Sequence, residues 1–319
     1  KHGRYAGAIV SAEVAEPRGT LHGEGGIRLV DAGAIAEGSW DEGRASALAG
    51  GRFSYSGLLF SLISPCFTFD YRDYLALFTY DLSPRDRVSV FSFGAYDFLS
   101  ETTNDIETVL FGAEFYRLDA RYDRKLEGGG KLRAATTFGF DQTKVADGRN
   151  TQDILAGSRL ELEQPVSRAV TLRGGLDVQH DIYSTTPREY VDPDDPEVGA
   201  FEELFPARTD AAAGAWFDVV WNVTDHFTLT PGLRIDGFFS NGAEAASADP
   251  RLAVVARVHE RVRLLHALGM AHQPPAFIVP VPGLAVASLR GGLQRSLQAS
   301  AGVEVDLPFA TTASVNVFD

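Results

Sequence analysis

Apolar and polar residues alternate with period two along most of this chain, from about residue 20 to the end. In Val170-Thr171-Leu172-Arg173-Gly174-Gly175-Leu176-Asp177-Val178-Gln179-His180-Asp181-Ile182 nearly every even position is apolar, and the odd ones are mostly polar or charged. A strand sends successive side chains to opposite faces, so this segment has an oily face and a wet one. The same phase separates Tyr116, Leu118, Ala120 and Tyr122 from Arg117, Asp119, Arg121 and Asp123. It also separates Leu132, Ala134, Phe138 and Phe140 from Lys131, Arg133, Thr137 and Asp141, and Phe227, Leu229, Leu233 and Ile235 from Thr228, Thr230, Arg234 and Asp236. Near the end, Leu297, Ala299, Ala301, Val303 and Val305 oppose Gln298, Ser300, Glu304 and Asp306. No helical periodicity of similar regularity occurs. The pattern predicts an all-β chain, with strands near 22–31, 33–40, 45–62, 71–82, 87–99, 108–124, 131–144, 152–164, 169–182, 209–223, 227–239, 250–258, 262–271, 295–306 and 311–319. A further strand, 5–14, is set apart by Pro17-Arg18-Gly19.

The connections fall into two classes. Tight ones lie at Ser83-Pro84-Arg85-Asp86, Glu127-Gly128-Gly129-Gly130, Pro165-Val166-Ser167-Arg168, Thr224-Asp225-His226, His259-Glu260-Arg261 and Pro308-Phe309-Ala310. Longer ones are expected at about 65–70, 100–107, 145–151, 183–208, 240–249 and 272–294. Strict alternation of the two describes an antiparallel up-and-down meander with short turns at one end and loops at the other. A soluble β-sandwich shows the same side-chain alternation, with its apolar face as the core. Three features favour a transmembrane β-barrel, whose apolar face meets lipid. The strands exceed the usual five or six residues; the wet face mixes charges with Gly and Thr; and loop length is specific to one end. Tyr71, Tyr74, Phe98, Tyr183, Trp216, Trp221, Phe227, Phe238 and Phe239 lie near strand ends, as an interfacial girdle would, although strands are enriched in aromatics anyway.

Composition changes this picture little. No apolar run approaches the ~18 residues of a spanning helix, but transmembrane strands need only about 9–11 residues with one apolar face. A net charge of −14 argues against a nucleic-acid partner. The lone Cys66 excludes an internal disulfide and reads as a chance loop thiol. No GxSxG elbow, phosphate loop or dinucleotide fingerprint points to an enzyme or a cofactor. The seven histidines form no HxxxH or HExxH pair, so no metal centre is expected. The chain begins at Lys1 and stops inside the alternating run Val315-Asn316-Val317-Phe318-Asp319, so we expect a piece of a longer exported protein.

Candidate ligand contacts lie in the two longest loops. The first, 183–208, carries Tyr190, Asp192, Asp194, Asp195 and Glu197 among further acids; clustered oxygens can hold a cation, but the spacing lacks the Gly and terminal Glu of an EF-hand loop and reads first as a solvated acidic loop. The second, 272–294, is proline-stiffened and apolar, and offers His272, Gln273 and Phe277; it would either fold over the lumen or pack on itself. On the wet face, Arg117, Asp119, Arg121, Arg173, Asp177, Asp181, Arg234 and Asp236 are expected to line the lumen as a charge ladder, or to meet a polar substrate.

Several phrases resemble TonB-dependent outer-membrane receptors. Gly3–Val14 is similar to the Gly-rich strand that closes their plug, and Ala15-Glu16-Pro17-Arg18-Gly19-Thr20-Leu21-His22-Gly23-Glu24 to the crossing into the first barrel strand. Tyr71-Arg72-Asp73-Tyr74, leading to Tyr80-Asp81-Leu82-Ser83-Pro84-Arg85-Asp86, resembles two strands around a periplasmic turn, and Asp249-Pro250-Arg251-Leu252 and Ala271-His272-Gln273-Pro274-Pro275 are similar to recurrent phrases of the family. The resemblance implies residues 1–19 as the end of a plug and residues 20–319 as about fifteen strands of a barrel of about twenty-two, with periplasmic short turns and extracellular loops. It further implies outer-membrane lipid as surroundings, a scarce small ligand such as an iron chelate, cobalamin or glycan, and energy coupling to TonB through parts outside this sequence. Other readings are a passive porin or adhesin-type barrel, which would lack the plug, and the soluble sandwich.

Overall fold

The structure is a computed structural model that describes residues 3–4, 14–17, 19–64, 66–104, 106–145, 149–186, 206–278, 285–287, 289 and 291–319. Fifteen strands hydrogen-bond in chain order into one antiparallel sheet. They are β1 (His22–Ile27), β2 (Asp31–Trp40), β3 (Ala45–Ser54), β4 (Phe67–Asp81), β5 (Asp86–Thr103), β6 (Ile106–Lys125), β7 (Lys131–Val145), β8 (Asn150–Pro165), β9 (Val170–Thr186), β10 (Arg208–Thr224), β11 (Phe227–Ser240), β12 (Ala243–His259), β13 (Val262–Gln273), β16 (Gln294–Leu307) and β17 (Thr311–Phe318). Two short strands, β14 (Ala276–Ile278) and β15 (Ala285–Ala287), pair only with each other in the connection between β13 and β16. Among the described residues β1 and β17 each pair on one side only, so the sheet is open there.

Burial is inverted relative to a water-soluble sandwich. On β9 the apolar Leu176 and Val178 are 56% and 54% exposed, while Asp181 on the opposite face is 7% exposed. Phe138, Ile154, Leu160, Phe217, Leu233, Ile235 and Leu268 are exposed in the same way, and the buried set is led by Asp141, Asp153, Asp218, Arg234, Asp236 and Asp249. A single layer buries one of its faces only by wrapping round it, so the charged face is the inner one and the apolar face looks outward. Water rewards the opposite arrangement; hydrocarbon rewards this one. The soluble-sandwich expectation fails on that count.

The short-turn end is built by side chains that cap the turns. Ser83 Oγ accepts from the Arg85 and Asp86 amides, both at 3.1 Å. Ser167 Oγ accepts from the Ala169 and Val170 amides at 3.2 and 3.0 Å, and Thr224 Oγ1 from the His226 amide at 3.2 Å. A hydroxyl that supplies the turn's missing acceptor closes a hairpin in few residues.

The opposite end departs from the expected uniform loops. The connection expected at 240–249 is a two-residue turn, Asn241-Gly242, with φ of 44° and 80°, and β12 starts at Ala243. Strands also run past the expected boundaries to Thr103 and from Ile106, so tight and long connections do not alternate strictly. The cause is length. The residues of β9, Val170–Thr186, extend about 56 Å at about 3.3 Å each, and tilted by about 40° they rise about 43 Å against an apolar band about 25 Å tall. Alternation marks only the part in contact with the band; backbone pairing continues beyond it. The single strand expected over 45–62 is β3 followed by a short helix, α1 (Ser56–Ser61), because Ser54 Oγ accepts from the Ser56 amide at 3.0 Å and the Ser56 hydroxyl donates to the Phe69 carbonyl at 3.2 Å. The break between the strands expected at 22–31 and 33–40 lies at 28–30, and Asp31 opens β2. The strand expected at 5–14 falls almost wholly outside the described residues.

The Asn241-Gly242 turn gives a direct prediction. Replacing Gly242 by Val puts a β-branched residue at φ of 80°, which should cost about 1–2 kcal/mol. The chemical-unfolding midpoint of the protein in detergent should fall accordingly, whereas Gly26→Val, where an added Cβ meets nothing within 4 Å, should fall less.

Candidate functional site

The inner face carries a band of paired charges, positioned by strict register. On β9, β10 and β11 the residues Asp177, Gly214 and Asp236 are direct cross-strand partners. Gly214 has no side chain, and the space above it is filled from both sides. Arg234 Nε donates to Asp236 Oδ2 at 2.7 Å, its Nη2 to Asp236 Oδ1 at 2.6 Å and to Asp177 Oδ1 at 3.0 Å, and its Nη1 lies 2.9 Å from Asp177 Oδ2. Arg4, far away in sequence, enters the same space: its Nε donates to Asp236 Oδ1 at 2.7 Å, and its Nη2 lies 2.5 Å from Asp177 Oδ1. Two guanidiniums and two carboxylates thus form a neutral buried foursome. A Cβ on Gly214 would stand 2.1 Å from Asp236 Oδ1 and 2.6 Å from Arg234 Nη2, so glycine here is a window that the charges occupy.

The device recurs one strand pair along. Asp218 of β10 and Arg251 of β12 meet across Gly232 of β11, with Arg251 Nε donating to Asp218 Oδ1 at 2.9 Å; Arg173 of β9 approaches the other oxygen at 3.8 Å. Arg117 of β6 binds Asp141 of β7 through two bonds of 2.8 Å and lies over Gly139. Asp119 accepts from the Thr137 hydroxyl at 2.8 Å and from Arg121 at 3.5 Å, and Asp181 accepts the Gln179 amide at 3.0 and 3.2 Å. The eight charged residues expected on the wet face all share the inner side of the sheet; seven hydrogen-bond a polar neighbour, and Arg173 lies 3.8 Å from Asp218. Charge-assisted bonds of this geometry are the strong ones.

The loop residues divide differently. His272 lies near the end of β13 against Asp249: its amide donates to Asp249 Oδ2 at 3.3 Å, and its Nδ1 lies 2.5 Å from Oδ1. Gln273 donates to Gln294 Oε1 at 3.0 Å across the β13–β16 pair. Both belong to the wall rather than to a free loop. Phe277 pairs with Val286 in the β14–β15 ribbon. Tyr190, Asp192, Asp194, Asp195 and Glu197 lie outside the described residues. Among the described residues no three His, Cys, Asp or Glu side chains come close enough to hold a metal ion.

Sequence pattern missed other inner-face residues. Trp216, placed with the girdle, is 5% exposed on the inner face, with Arg251 5.8 Å from its ring, and Phe238 is 3% exposed. Tyr71 and Tyr183 also face inward, bonded to Asp31 and stacked by Arg208 respectively. Trp221 and Phe239 do face outward. Parity could have found Trp216, since it shares phase with Gly214 and Asp218; nothing local could have found Arg4.

Neither a protein-family model nor a curated protein sequence matches the chain. Solved structures do match. The FrpB iron transporter of Neisseria meningitidis superposes with a TM-score of 0.66 at 15% identity, over 90% of this chain and 51% of its own. The ferric enterobactin receptor PfeA of Pseudomonas aeruginosa gives 0.65 at 11% identity, over 95% and 54%, and the siderophore receptor PirA of Acinetobacter baumannii gives 0.63 at 11%, over 95% and 50%. The chain spans about half the length of these structures. At such identities the likeness establishes the fold, and that fold is the barrel of TonB-dependent outer-membrane receptors, in agreement with the resemblance read from the sequence.

Proposed function

We propose that this chain is the barrel wall of a TonB-dependent outer-membrane receptor that imports an iron chelate, with residues 1–19 as the end of a plug and residues 20–319 as barrel. The observation that carries the reading is Arg4. A residue from before the first strand lies inside the sheet and completes a buried charge foursome with Asp177, Arg234 and Asp236, as a segment threaded through the lumen would. The outward apolar face supports lipid as surroundings, and the kinds of protein found among the structural neighbours, an iron transporter and siderophore receptors, favour iron chelates over cobalamin or glycans. The segments 187–207 and 274–293, at the end opposite the capped turns, are where we place ligand capture, including Tyr190, Asp192, Asp194, Asp195, Glu197 and Phe277. In this scheme energy arrives through TonB and the plug, and the wall holds the loops in place.

The test is uptake of radiolabelled ferric siderophores by iron-starved cells with and without the gene. Expected is uptake of at least one chelate that needs the gene and stops when the proton-motive force is dissipated. A protein that instead lets neutral sugars swell proteoliposomes, with no energised uptake, is a porin and overturns the proposal.

A further inference from the structure

We propose that the inner wall formed by β7, β8, β9 and β10 at the loop end binds a cationic group of the ligand, a guanidinium or ammonium, with Asp153 as its counter-ion. The proposal rests on the uptake reading only for the side from which the ligand arrives; the site itself is argued from register and charge.

Four consecutive strands place Asp141, Asp153, Tyr183 and Arg208 side by side as direct partners. One step deeper, Leu155, Asp181 and Asp210 are direct partners in the same way, and one step toward the loop end Thr143, Thr151 and Thr185 are. Asp141 is committed to Arg117 at 2.8 Å, and Asp210 receives Arg208 Nε at 2.8 Å and the Ser240 hydroxyl at 2.5 Å. Asp181 has the neutral Gln179 amide. The Arg208 guanidinium is also stacked on the Tyr183 ring, 3.9 Å from its centre. Two guanidiniums therefore face four carboxylates.

Asp153 is the residue left over. It is 5% exposed, its Oδ1 has no hydrogen-bond partner, and its direct neighbour Asp141 and diagonal neighbour Asp181 are both acids. The Thr151 hydroxyl, on the same face two residues on, is 3% exposed and likewise unpartnered. A buried carboxylate oxygen with no hydrogen bond is costly, and like charges opposite each other in a sheet add to the cost, which Arg117 and Arg208, each bonded to another acid, offset only in part. The Asp177–Arg234–Asp236–Arg4 and Asp218–Arg251 clusters on this face are charge-matched, which makes the deficit at Asp153 local. A cation that displaces the packing over these two side chains would find a carboxylate oxygen and a hydroxyl oxygen with no hydrogen-bond partner, and would restore the balance. Because no three acidic or histidine side chains converge among the described residues, the geometry suits the spread donors of an organic cation better than the close shell of a metal ion.

The experiment is calorimetric titration of the intact protein in detergent with n-butylguanidinium and with n-butylurea, its neutral isostere. Expected is binding of the guanidinium at about 1 mM or tighter, with the urea at least about tenfold weaker, the difference one charge-assisted bond makes. Asp153→Asn should abolish the preference and Thr151→Val should weaken it several-fold, while Asp119→Asn, lower on the same face, should leave it unchanged. Equal binding of the two probes, no binding of either, or a preference that survives both Asp153→Asn and Thr151→Val overturns the proposal. Should Asp153→Asn fail to fold, Thr151→Val and the probe pair on the unaltered protein still decide. Loss of chelate uptake with butylguanidinium binding intact would sink the uptake reading alone; the reverse would sink only this site.

Discussion

Asp236→Ala should lower the unfolding free energy of the protein in detergent by about 3–5 kcal/mol, the largest effect of any single change considered. Asp236 is 1% exposed and accepts from both Arg234 and Arg4. Removing it leaves two guanidiniums facing Asp177 alone, in a cluster whose side chains are 16% exposed or less. Deleting one partner of a buried ion pair costs about 3–5 kcal/mol because the remaining charge stays buried. The comparison that isolates burial is Asp123→Ala. Asp123 bonds Arg133 at 2.6 Å, but both side chains are about a third exposed, and an exposed pair is worth about 0–1 kcal/mol. Equilibrium unfolding in denaturant measures both. Similar small losses in the two variants would mean the foursome is solvated, and the argument that Arg4 sits in an enclosed lumen would fall with it. Gly214→Ala tests the same cluster without touching a charge: its Cβ would collide with Asp236 Oδ1 and Arg234 Nη2, so a loss of about 1–3 kcal/mol is expected from overpacking.

What the sequence made legible follows from how far each feature depends on neighbours along the chain. The face of each side chain was legible, because parity is a local property: Leu176 and Val178 out, Asp177 and Asp181 in, need only β9 itself. Strand ends were legible only where chemistry marks them. Ser83, Ser167 and Thr224 announce the capped turns, whereas β10, β11 and β12 continue past the apolar band with no change in composition that separates strand from loop. The dipeptide Asn241-Gly242 did carry a hairpin signal; the polar stretch around it masked that signal as a loop. The run 45–62 failed for the opposite reason, since Leu58, Leu59 and Phe60 prolong an apolar pattern after the backbone has turned at Ser54 and Ser56.

The site was less legible than the fold because it is assembled across strands. Arg4 meets partners 173 and 232 residues away, and no pattern of period two reports such a contact. Asp153 carries no mark in the sequence that singles it out; its unbonded Oδ1 among acids emerges only when the registers of β7, β8, β9 and β10 are laid side by side. Trp216 is intermediate. Its nearness to a strand end suggested an interface, while its parity with Gly214 and Asp218 put it inside, and parity prevailed because a strand cannot turn one residue over without turning all of them.

Val178→Arg should destabilise the protein by about 2–4 kcal/mol, and the sign of this effect separates membrane from water more cleanly than any distance. Val178 lies at the middle of β9, and its side chain is 54% exposed on the apolar face. If that face met water, replacing a half-exposed valine by arginine would stay within about 0.5 kcal/mol of neutral, as surface changes usually do. If it meets hydrocarbon at mid-depth, the guanidinium must be dragged into the bilayer or the bilayer thinned around it, at about 2–4 kcal/mol. The cost should also decay with height. Val166, in the turn at the end of β8, is 55% exposed, so Val166→Arg starts from the same exposure but lies outside the apolar band, where about 0–1 kcal/mol is expected. Unfolding from lipid bilayers, rather than from micelles, gives the depth its meaning. A large loss at residue 178 with a small one at 166 is the signature of a slab of lipid about the height of the alternating pattern. Equal, small losses at both would return the apolar face to water or to a protein partner, and the membrane barrel would no longer explain why this chain buries its aspartates and exposes its leucines.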